Sequence, residues 1–493
     1  MTRLLPVVSA DAVRAAEHMH PELLANGTLM QRAAHAVAAE CLTELRAQGG
    51  IVGRHVLLLV GSGDNGGDAL YAGAVMARRG VAVFALLLSS AAHADGLAAY
   101  VGAGGRIVDA PGALDLFDRL DLTIDGIVGL GSTRPLSGDA AVLARALADA
   151  EIFTVAIDVP SGVNADTGAV AGVAIEADLT VTFGALRRAH VVAPAALQCG
   201  DVRIADIGVA MASDDVAITG VGEWFSDPAS SADKYARGVA GVVTGSAKYP
   251  GAALLSVGAA LRSGCGMVRY FGGARASVVM PHPEVVATDD EAISTSRCQA
   301  WVVGCGGGTD ESAEQALADV LMQSAPVVVD ADAITLLARD RHLREMLIAR
   351  ADHSALTLLT PHAGELERIA AGLGLLVDLE TDRLGAAHAV ASALRCVVLL
   401  KGPTTLIVDG ERLVATPLLG SQLATAGSGD VLAGLLGGAI ARWSAVTALD
   451  VPRLMELAGA CALRHAAAAA EKDTVASDLL VGLEAAQSAT MRQ

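Results

Sequence analysis

The sequence predicts an α/β protein with two domains, each a three-layer α/β/α arrangement around a parallel sheet. The first observation is length, because 493 residues exceed what one hydrophobic core usually organises. The second is that short, continuous apolar runs alternate with helical patterns, which is typical of strands buried on both faces of a sheet. The third is that glycine- and aspartate-rich segments follow several of these runs, where parallel α/β proteins bind ligands.

The composition limits the functional classes. Hydrophobic residues make up 53% and aromatic residues only 3%, so the core must be built from Ala, Val and Leu. A net charge of −19 argues against nucleic acid or an anionic membrane as partner. The longest apolar runs, such as 81–88 and 431–441, are too short to span a membrane. Seven cysteines without a CxxC pair, and no secretion signal in residues 1–10, indicate a cytoplasmic protein, which we expect to form a homo-oligomer.

The first half begins with two predicted helices and then alternates strands with helices. Ser9 is a predicted N-cap for a helix ending near Met19, and a second helix is predicted from Gly27 onward. An apolar strand at 56–60 precedes a glycine-rich turn at 61–68, and a helix is predicted from about Ala69 to Arg79. Such a strand, turn and helix form the crevice that binds nucleotides in doubly wound proteins.

Polar residues follow three predicted strands of this half. Asn65 and Asp68 follow the strand at 56–60, Asp125 lies in the strand at 122–128, and Asp158 follows the strand at 153–157. Because the carboxyl ends of parallel strands meet at one edge, we expect these four side chains to lie close together. The alternative for each residue alone is a turn-forming role.

The segments GSGDNGGDALYAG, IDGIVGLG and AIDVPSGVNADTG resemble the NAD(P)H-hydrate epimerase domain, over about residues 4–212. The resemblance implies a Rossmann-like domain at 1–212, with K⁺ held by Asn65, Asp125 and the backbone near Ser161. It implies that Asp158 is the acid/base at C6 of the hydrated nicotinamide. Two departures are Asp64 in place of Asn and Ala69 in place of Gly. The implied substrate-binding residues are Asp64, Asn65, Gly66, Gly67, Asp68, Gly129, Leu130, Gly131, Ser132, Thr133, Arg134 and Pro135.

A break in the apolar rhythm predicts a linker at 213–225 and a second domain at 226–493. Apolar strands are predicted at 239–244, 266–271, 300–303, 326–329 and 356–359, alternating with helices. His362 follows the last of these, beyond a Thr-Pro helix start, and could be an exposed helix residue or a ligand contact.

Two segments near the C-terminus carry phosphate-binding chemistry. Residues 426–430 read Ala-Gly-Ser-Gly-Asp before an apolar helix, where free N–H groups and the helix dipole favour an anion. The alternative is a glycine-rich turn whose aspartate caps the helix. A buried strand that ends in Lys401, Gly402, Pro403, Thr404 and Thr405 favours nucleotide phosphates.

KYARG, GSAKYPGAA, VVVDADA, LTPHAGE, LLKGPTT and AGSGDVLAG together resemble the ADP-dependent NAD(P)H-hydrate dehydratase, a ribokinase-like family, over about residues 223–493. The resemblance implies Mg²⁺ and ADP as cofactors. Cys305 and Gly307 depart from the family's usual GPGLG. Lys401–Thr405 and Gly429 would contact the nucleotide, and Ala252, Gly306, Gly308, His362 and the catalytic Asp430 would face the hydrate.

These resemblances imply a bifunctional enzyme of nicotinamide nucleotide repair. It would epimerise the R and S hydrates of NADH and NADPH at C6 and dehydrate the S form with ADP, giving AMP and phosphate. One alternative is a ribokinase-like small-molecule kinase with a non-catalytic N-terminal binding domain. Another is a binding or scaffold role for the first half alone.

Overall fold

The computed structural model of this chain describes residues 2–131, 134–226, 233–287, 292–469 and 474–486. They form two compact units, one mainly of Leu5–Asp215 and the other mainly of Val216–Leu379 and the residues from Leu384 onward. Both units are α/β, which confirms the predicted fold class. Two predicted site residues, Ser132 and Thr133, lie outside the described residues.

The first unit contains nine strands and seven helices among the described residues. Its strands are β1 (Thr2–Val8), β2 (His55–Val60), β3 (Ala82–Leu87), β4 (Arg106–Val108), β5 (Leu122–Gly126), β6 (Thr154–Ile157), β7 (Leu179–Phe183), β8 (Leu186–Arg187) and β9 (Asp201–Ala205). Its helices are α1 (Ala10–His18), α2 (Pro21–Ala25), α3 (Thr28–Ala47), α4 (Asp64–Ala77), α5 (Ala94–Gly102), α6 (Ala110–Leu114) and α7 (Gly138–Asp149).

Seven of these strands form a wholly parallel sheet in the order β4-β3-β2-β5-β6-β7-β9, and β1 pairs with β8. Alternate residues of β2 enter different cores: Val56, Leu58 and Val60 pack with α3 and α4, whereas Leu57 and Leu59 pack with α7. The continuous apolar run therefore reflects burial on both faces, in a three-layer arrangement.

The second unit contains nine strands and ten helices among the described residues. Its strands are β10 (Val216–Val221), β11 (Val239–Val243), β12 (Met267–Tyr270), β13 (Ala300–Val303), β14 (Val327–Val329), β15 (Thr357–Leu359), β16 (Val397–Leu400), β17 (Leu406–Val408) and β18 (Leu413–Ala415). Its helices are α8 (Pro250–Arg262), α9 (Arg275–Val279), α10 (Glu311–Leu321), α11 (Asp332–Arg339), α12 (Arg341–Asp352), α13 (Ala363–Gly372), α14 (Arg383–Leu394), α15 (Ser428–Val446), α16 (Val451–Ala468) and α17 (Ala476–Ala485).

The strands of this unit lie in the order β12-β11-β13-β14-β15-β16-β17-β18-β10. Only β17 runs antiparallel to its neighbours. Helices α8, α15, α16 and α17 share a core with Val302, Val328 and Leu358 on one face of the sheet. The apolar faces of α10–α14 supply the other layer.

Three boundaries differ from those predicted. The predicted linker at 213–225 is wrong in its second part, because β10 pairs with β18 and belongs to the second unit. Helix α4 begins at Asp64 rather than Ala69, since the glycines let its first turn pack on the strand ends; a Cβ on Gly66 would lie 2.3 Å from the Gly61 carbonyl oxygen. The first residues form β1, which was not predicted.

The composition raised two questions, whether a segment could span a membrane and where the cysteines lie. Among the described residues, no helix is both long and apolar enough to cross a membrane. All seven cysteines are buried.

The contact between α8 and α15 requires a glycine. A Cβ on Gly434 of α15 would lie 2.0 Å from the Ser256 carbonyl oxygen of α8, so the helices would have to separate. We expect G434A to lower the free energy of unfolding by about 3 kcal/mol. G251A on α8 is the control, since nothing lies within 4 Å of its Cβ position. Urea unfolding followed by tryptophan fluorescence measures both, because all three tryptophans lie in this unit; equal midpoints would contradict the prediction.

Candidate active sites in the two units

In the first unit, Asp125 organises the ends of β5 and β6. Its carboxylate accepts hydrogen bonds from the Ser161 N–H at 2.7 Å, the Ser161 hydroxyl at 2.6 Å and the Ile127 N–H at 3.2 Å. Asn65 lies nearby on α4 and donates its amide to the Ile157 carbonyl oxygen at 2.6 Å. Its Oδ1 lies 2.3 Å from where a Cβ on Gly129 would be, so only glycine leaves room for this side chain.

The Asp125 carboxylate is fully buried, and burial raises its pKa to about 6 although the Ser161 and Ile127 hydrogen bonds oppose the shift. No positively charged side chain contacts it in the described part of the chain. A buried carboxylate without a counter-charge is unfavourable, and a cation would supply one. The oxygens of Asp125, Asn65 and the backbone at 128 and 161 are donors of the hard type that an alkali cation takes, so the residues fit such an ion.

Asp158 follows β6 and adopts a left-handed backbone conformation (φ 63°), which is uncommon for a non-glycine residue and often marks a functional site. It is 3% exposed. Oδ1 accepts from the Thr182 hydroxyl at 2.8 Å and from the Arg187 guanidinium at 3.0 Å. Oδ2 receives no hydrogen bond from the described residues. One oxygen is therefore anchored and the other is available to a reactant.

His190 makes a hydrogen bond to the backbone of Asp158. The Arg187 N–H donates to His190 Nδ1 at 3.0 Å, which leaves Nε2 to donate to the Asp158 carbonyl oxygen at 2.7 Å. Burial lowers the His190 pKa to about 4, so the ring is neutral at physiological pH. The ring therefore fixes the strained Asp158 backbone without adding a charge.

The remaining predicted substrate residues of this unit divide between two cavities. Asp64 and Asp68 border a cavity of about 520 Å³, whereas Gly131, Arg134 and Pro135 border one of about 1010 Å³ at the ends of β3, β4 and β5. Leu130 packs against apolar clusters. Gly66 and Gly67 are buried: a Cβ on Gly66 would meet the Gly61 carbonyl oxygen and one on Gly67 would contact Met30 and His93, so both allow α4 to pack closely.

In the second unit, Asp430 occupies the first turn of α15. Gly427 is the N-cap of this helix and has a left-handed backbone conformation (φ 88°), and Gly429 directly precedes Asp430. Its carboxylate is half-buried. Burial, and then the nearby negative charge of Asp330, raise its pKa to about 6 against the opposing effect of Lys401. Asp430 would therefore be mostly ionised at neutral pH yet close enough to neutrality to exchange a proton.

Asp330, which directly follows β14, accepts hydrogen bonds from Lys401 and Thr360 close to Asp430. Its Oδ1 accepts from Lys401 Nζ at 2.8 Å and from the Thr360 hydroxyl at 2.7 Å. Despite burial, Asp330 and then Glu365 raise the Lys401 pKa, so the lysine is a cation. A Cβ on Gly429 would lie 3.3 Å from Lys401 Nζ, which places this ammonium directly beside the glycine loop.

Cys305 lies next to Asp330 and Asp430 and is buried. Its thiol donates to Asp330 Oδ2 at 3.4 Å, and burial raises its pKa well above the usual value. The thiol is therefore protonated and unreactive. Ligand atoms of Cys305, Asp330 and Asp430 lie within 4.8 Å of one another. Mg²⁺ prefers an all-oxygen octahedral set, so a thiol and a carboxylate already paired with Lys401 do not fit it.

The predicted nucleotide-binding segment, residues 401–405, is at least partly exposed up to Pro403 and buried after it. Gly402 and Pro403 are exposed, whereas the Thr404 and Thr405 side chains are buried. The Thr405 N–H donates to the Thr416 hydroxyl at 2.9 Å, which joins the segment to β18. The threonines therefore shape the segment, while Lys401 and the exposed backbone are accessible to phosphate.

The predicted hydrate residues lie at the start of α8, on the loop after β13 and at the start of α13. The first turn of α8 packs on residues 305–308: a Cβ on Gly306 would lie 2.7 Å from the Ala252 Cβ, and the Gly308 N–H donates to Asp332 Oδ2 at 2.9 Å. His362 is the N-cap of α13 rather than a first-turn residue, and its side chain is 57% exposed. Glu365 lies between His362 and Lys401. One of its carboxylate oxygens is 3.3 Å from His362 Nε2, and the other is 4.0 Å from Lys401 Nζ.

Sequence reasoning did not select Asp330, Arg187 or Glu17 as site residues. Asp330 had a usable signal, since it is an acid directly after a buried strand. Arg187 and Glu17 had none, because their positions depend on how β8 and α1 pack near Asp158.

Asp330 gives a testable pH effect. If ionised Asp430 is the base, dehydration should fall as the pH drops through about 6. In D330N one negative neighbour is lost, so the Asp430 pKa should fall and the acid limb should move to lower pH by about 1 unit. The measurement is kcat against pH for phosphate release, with E367Q as a surface control on α13. An unchanged limb in D330N would contradict the prediction.

Comparison with known proteins agrees with both resemblances. Residues 240–486 match the family model described as NAD(P)H-hydrate dehydratase, and residues 26–189 match the YjeF-related protein N-terminus. A bifunctional NAD(P)H-hydrate repair enzyme of Mycobacterium tuberculosis is 45% identical over 439 residues, 88% of each chain. One of Salinibacter ruber is 32% identical, covering 96% of this chain and 95% of its own.

Among solved structures, the ADP/ATP-dependent NAD(P)H-hydrate dehydratase from Bacillus subtilis co-crystallized with ATP/Mg²⁺ aligns with a TM-score of 0.42 at 26% identity, covering 53% of this chain and 92% of that chain. The matches to both family models and the full-length relatives lead to one conclusion. The chain belongs to the family of bifunctional NAD(P)H-hydrate repair enzymes.

Proposed function

We propose that this chain repairs hydrated NADH and NADPH in two steps. The first unit epimerises the R and S hydrates at C6, and the second dehydrates the S form with ADP. Relatives that share both units along most of their length support this proposal. The observation that carries it is a half-buried carboxylate, Asp430, in the first turn of α15, with the Lys401 ammonium held beside the same glycine loop by its ion pair with Asp330.

The second unit would work by phosphoryl transfer. The backbone N–H groups of 427–429 and Lys401 Nζ would hold the β-phosphoryl group of ADP, where the helix dipole favours negative charge. Asp430 would take the proton from the C6 hydroxyl as its oxygen attacks phosphorus, which releases AMP. Loss of phosphate from C6 and of a proton from C5 then restores the double bond.

The ligand contacts of this unit are proposals of the same kind. ADP would bring Mg²⁺ on its own phosphates, since the nearby protein side chains do not fit that ion. Lys401, Gly402, Pro403 and Gly429 would contact the nucleotide, Thr404 and Thr405 would shape its loop, and Ala252, Gly306, Gly308 and His362 would face the hydrate.

In the first unit, Asp158 would serve as the acid/base at C6, using its free Oδ2. K⁺ would be held by oxygens of Asn65, Asp125 and the backbone near Ser161, where it would offset the buried carboxylate charge. The loops at 64–68 and 129–135 would contact the dinucleotide. We also propose a cytoplasmic location and self-association, which light scattering would measure.

The test is an incubation of the full chain with mixed hydrate epimers, ADP or ATP, and Mg²⁺. The expected result with ADP is complete recovery of the absorbance of the reduced nicotinamide with equimolar AMP and phosphate. Recovery that stops when the S form is exhausted would leave the first unit as a binding module. Absence of recovery, with phosphorylation of vitamin or sugar alcohols in a coupled assay, would instead support the kinase alternative.

A further inference from the structure

The cavity of about 520 Å³ in the first unit contains an acid that neither the motifs nor the comparisons assign. Glu17 of α1 borders it together with Asp64 and Asp68 of α4. The Glu17 carboxylate is half-buried and makes no hydrogen bond or ion pair with the described residues. An acid left unpaired in a cavity is available to a ligand.

A second observation points to a ligand in the same cavity. Asp68 is only 6% exposed, and its Oδ1 has no hydrogen-bond partner among the described residues. A buried carboxylate oxygen without a partner is unfavourable unless something polar meets it. Polar groups of a substrate would satisfy it, so the cavity is suited to a hydroxylated or amide-bearing ring.

We propose that Glu17 is a second catalytic residue of the epimerase, which donates a proton to the departing C6 hydroxyl while Asp158 acts as the base. This rests on the proposed epimerase function. Protonation lets the C6–O bond break, and the lone pair of the ring nitrogen forms the C6=N bond as water leaves. Water then adds to the other face of C6 and gives its proton to Asp158. The oxidation state does not change; solvent returns one proton to Glu17 and takes one from Asp158, which restores both groups.

The charges around Glu17 fit the role of acid. Burial raises its pKa, Asp158 and then Asp64 raise it further, and Arg187 and His18 oppose the shift. Asp68 also borders the cavity, and burial, then the charges of Asp64, Asp158 and Glu17, raise its pKa well above the usual value. Glu17 rather than Asp68 suits the donor, because a half-buried acid can recover its proton from solvent.

The experiment follows conversion of the R hydrate in the full chain, with the uncatalysed rate subtracted. We expect E17Q to slow epimerisation about 100-fold and to abolish the fall of kcat/KM that the wild type shows as pH rises through the Glu17 pKa. E17D should restore part of the rate and the alkaline limb. E22Q, on the exposed face of α2, is the matched control and should behave as the wild type.

The outcomes separate this inference from the function on which it rests. Wild-type protein that does not convert the R hydrate would refute the epimerase function itself. If the wild type is active, an unaffected E17Q refutes the role of Glu17. Equal losses in E17Q and E17D with an unchanged pH profile also refute it, since they indicate a structural effect.

Discussion

Replacing Asp430 with asparagine should slow dehydration of the S hydrate by about 10⁴-fold, the upper range for loss of a general base. The amide keeps the size of the side chain but cannot accept the hydroxyl proton. Epimerisation should be unaffected, because Asp158 and Glu17 belong to the other unit. Phosphate release and nicotinamide absorbance measure the first effect, and conversion of the R to the S hydrate measures the second.

Measuring the stability of D430N shows whether a loss of activity comes from lost catalysis or from misfolding. The Asp430 pKa is raised in the folded state, so its ionised form opposes folding, and that unfavourable contribution appears as pH rises through the unfolded value. D430N removes this charge and should therefore be at least as stable as the wild type at pH 7. E311Q, which changes an exposed acid in the first turn of α10, is the control. Full dehydratase activity in a folded D430N protein would rule out the base.

Replacing Asp158 with asparagine should reduce conversion of the R hydrate by about 10³-fold while dehydration of the S form continues. The amide of the D158N side chain cannot take a proton from water at C6, whereas the second unit retains all its groups. The assay compares recovery of reduced nicotinamide from separated R and S hydrates. D149N, at the exposed end of α7, is the matched control.

D158N also leaves the buried Arg187 without its partner, which costs about 3–5 kcal/mol in comparable cases. The double variant D158N/R187Q removes both charges, so most of the stability should return while epimerisation stays low. Circular dichroism follows the whole chain, and tryptophan fluorescence reports the second unit alone. A double variant that regains epimerase activity would show that Asp158 serves the fold rather than the chemistry.

The amino-acid sequence alone determined the two α/β units, the strands that carry the site loops and the family. Burial on both faces turns parallel strands into continuous apolar runs, and close approach of backbone to ligand demands glycine, so both features are written locally. The capping role of Ser9 was confirmed for the same reason, since its hydroxyl accepts from Ala12 only three residues away.

Only the tertiary structure decided which groups meet. Asp330 joins Lys401 across 71 positions, Asp158 joins Arg187 across 29, and Glu17 reaches the neighbourhood of Asp158 from the first helix of the chain. The sequence placed Asp158 and Asp430 at strand and helix ends but could not show what surrounds them. The pKa of a carboxylate depends on burial and on charges within a few ångströms, and these neighbours come from distant elements that packing alone brings together.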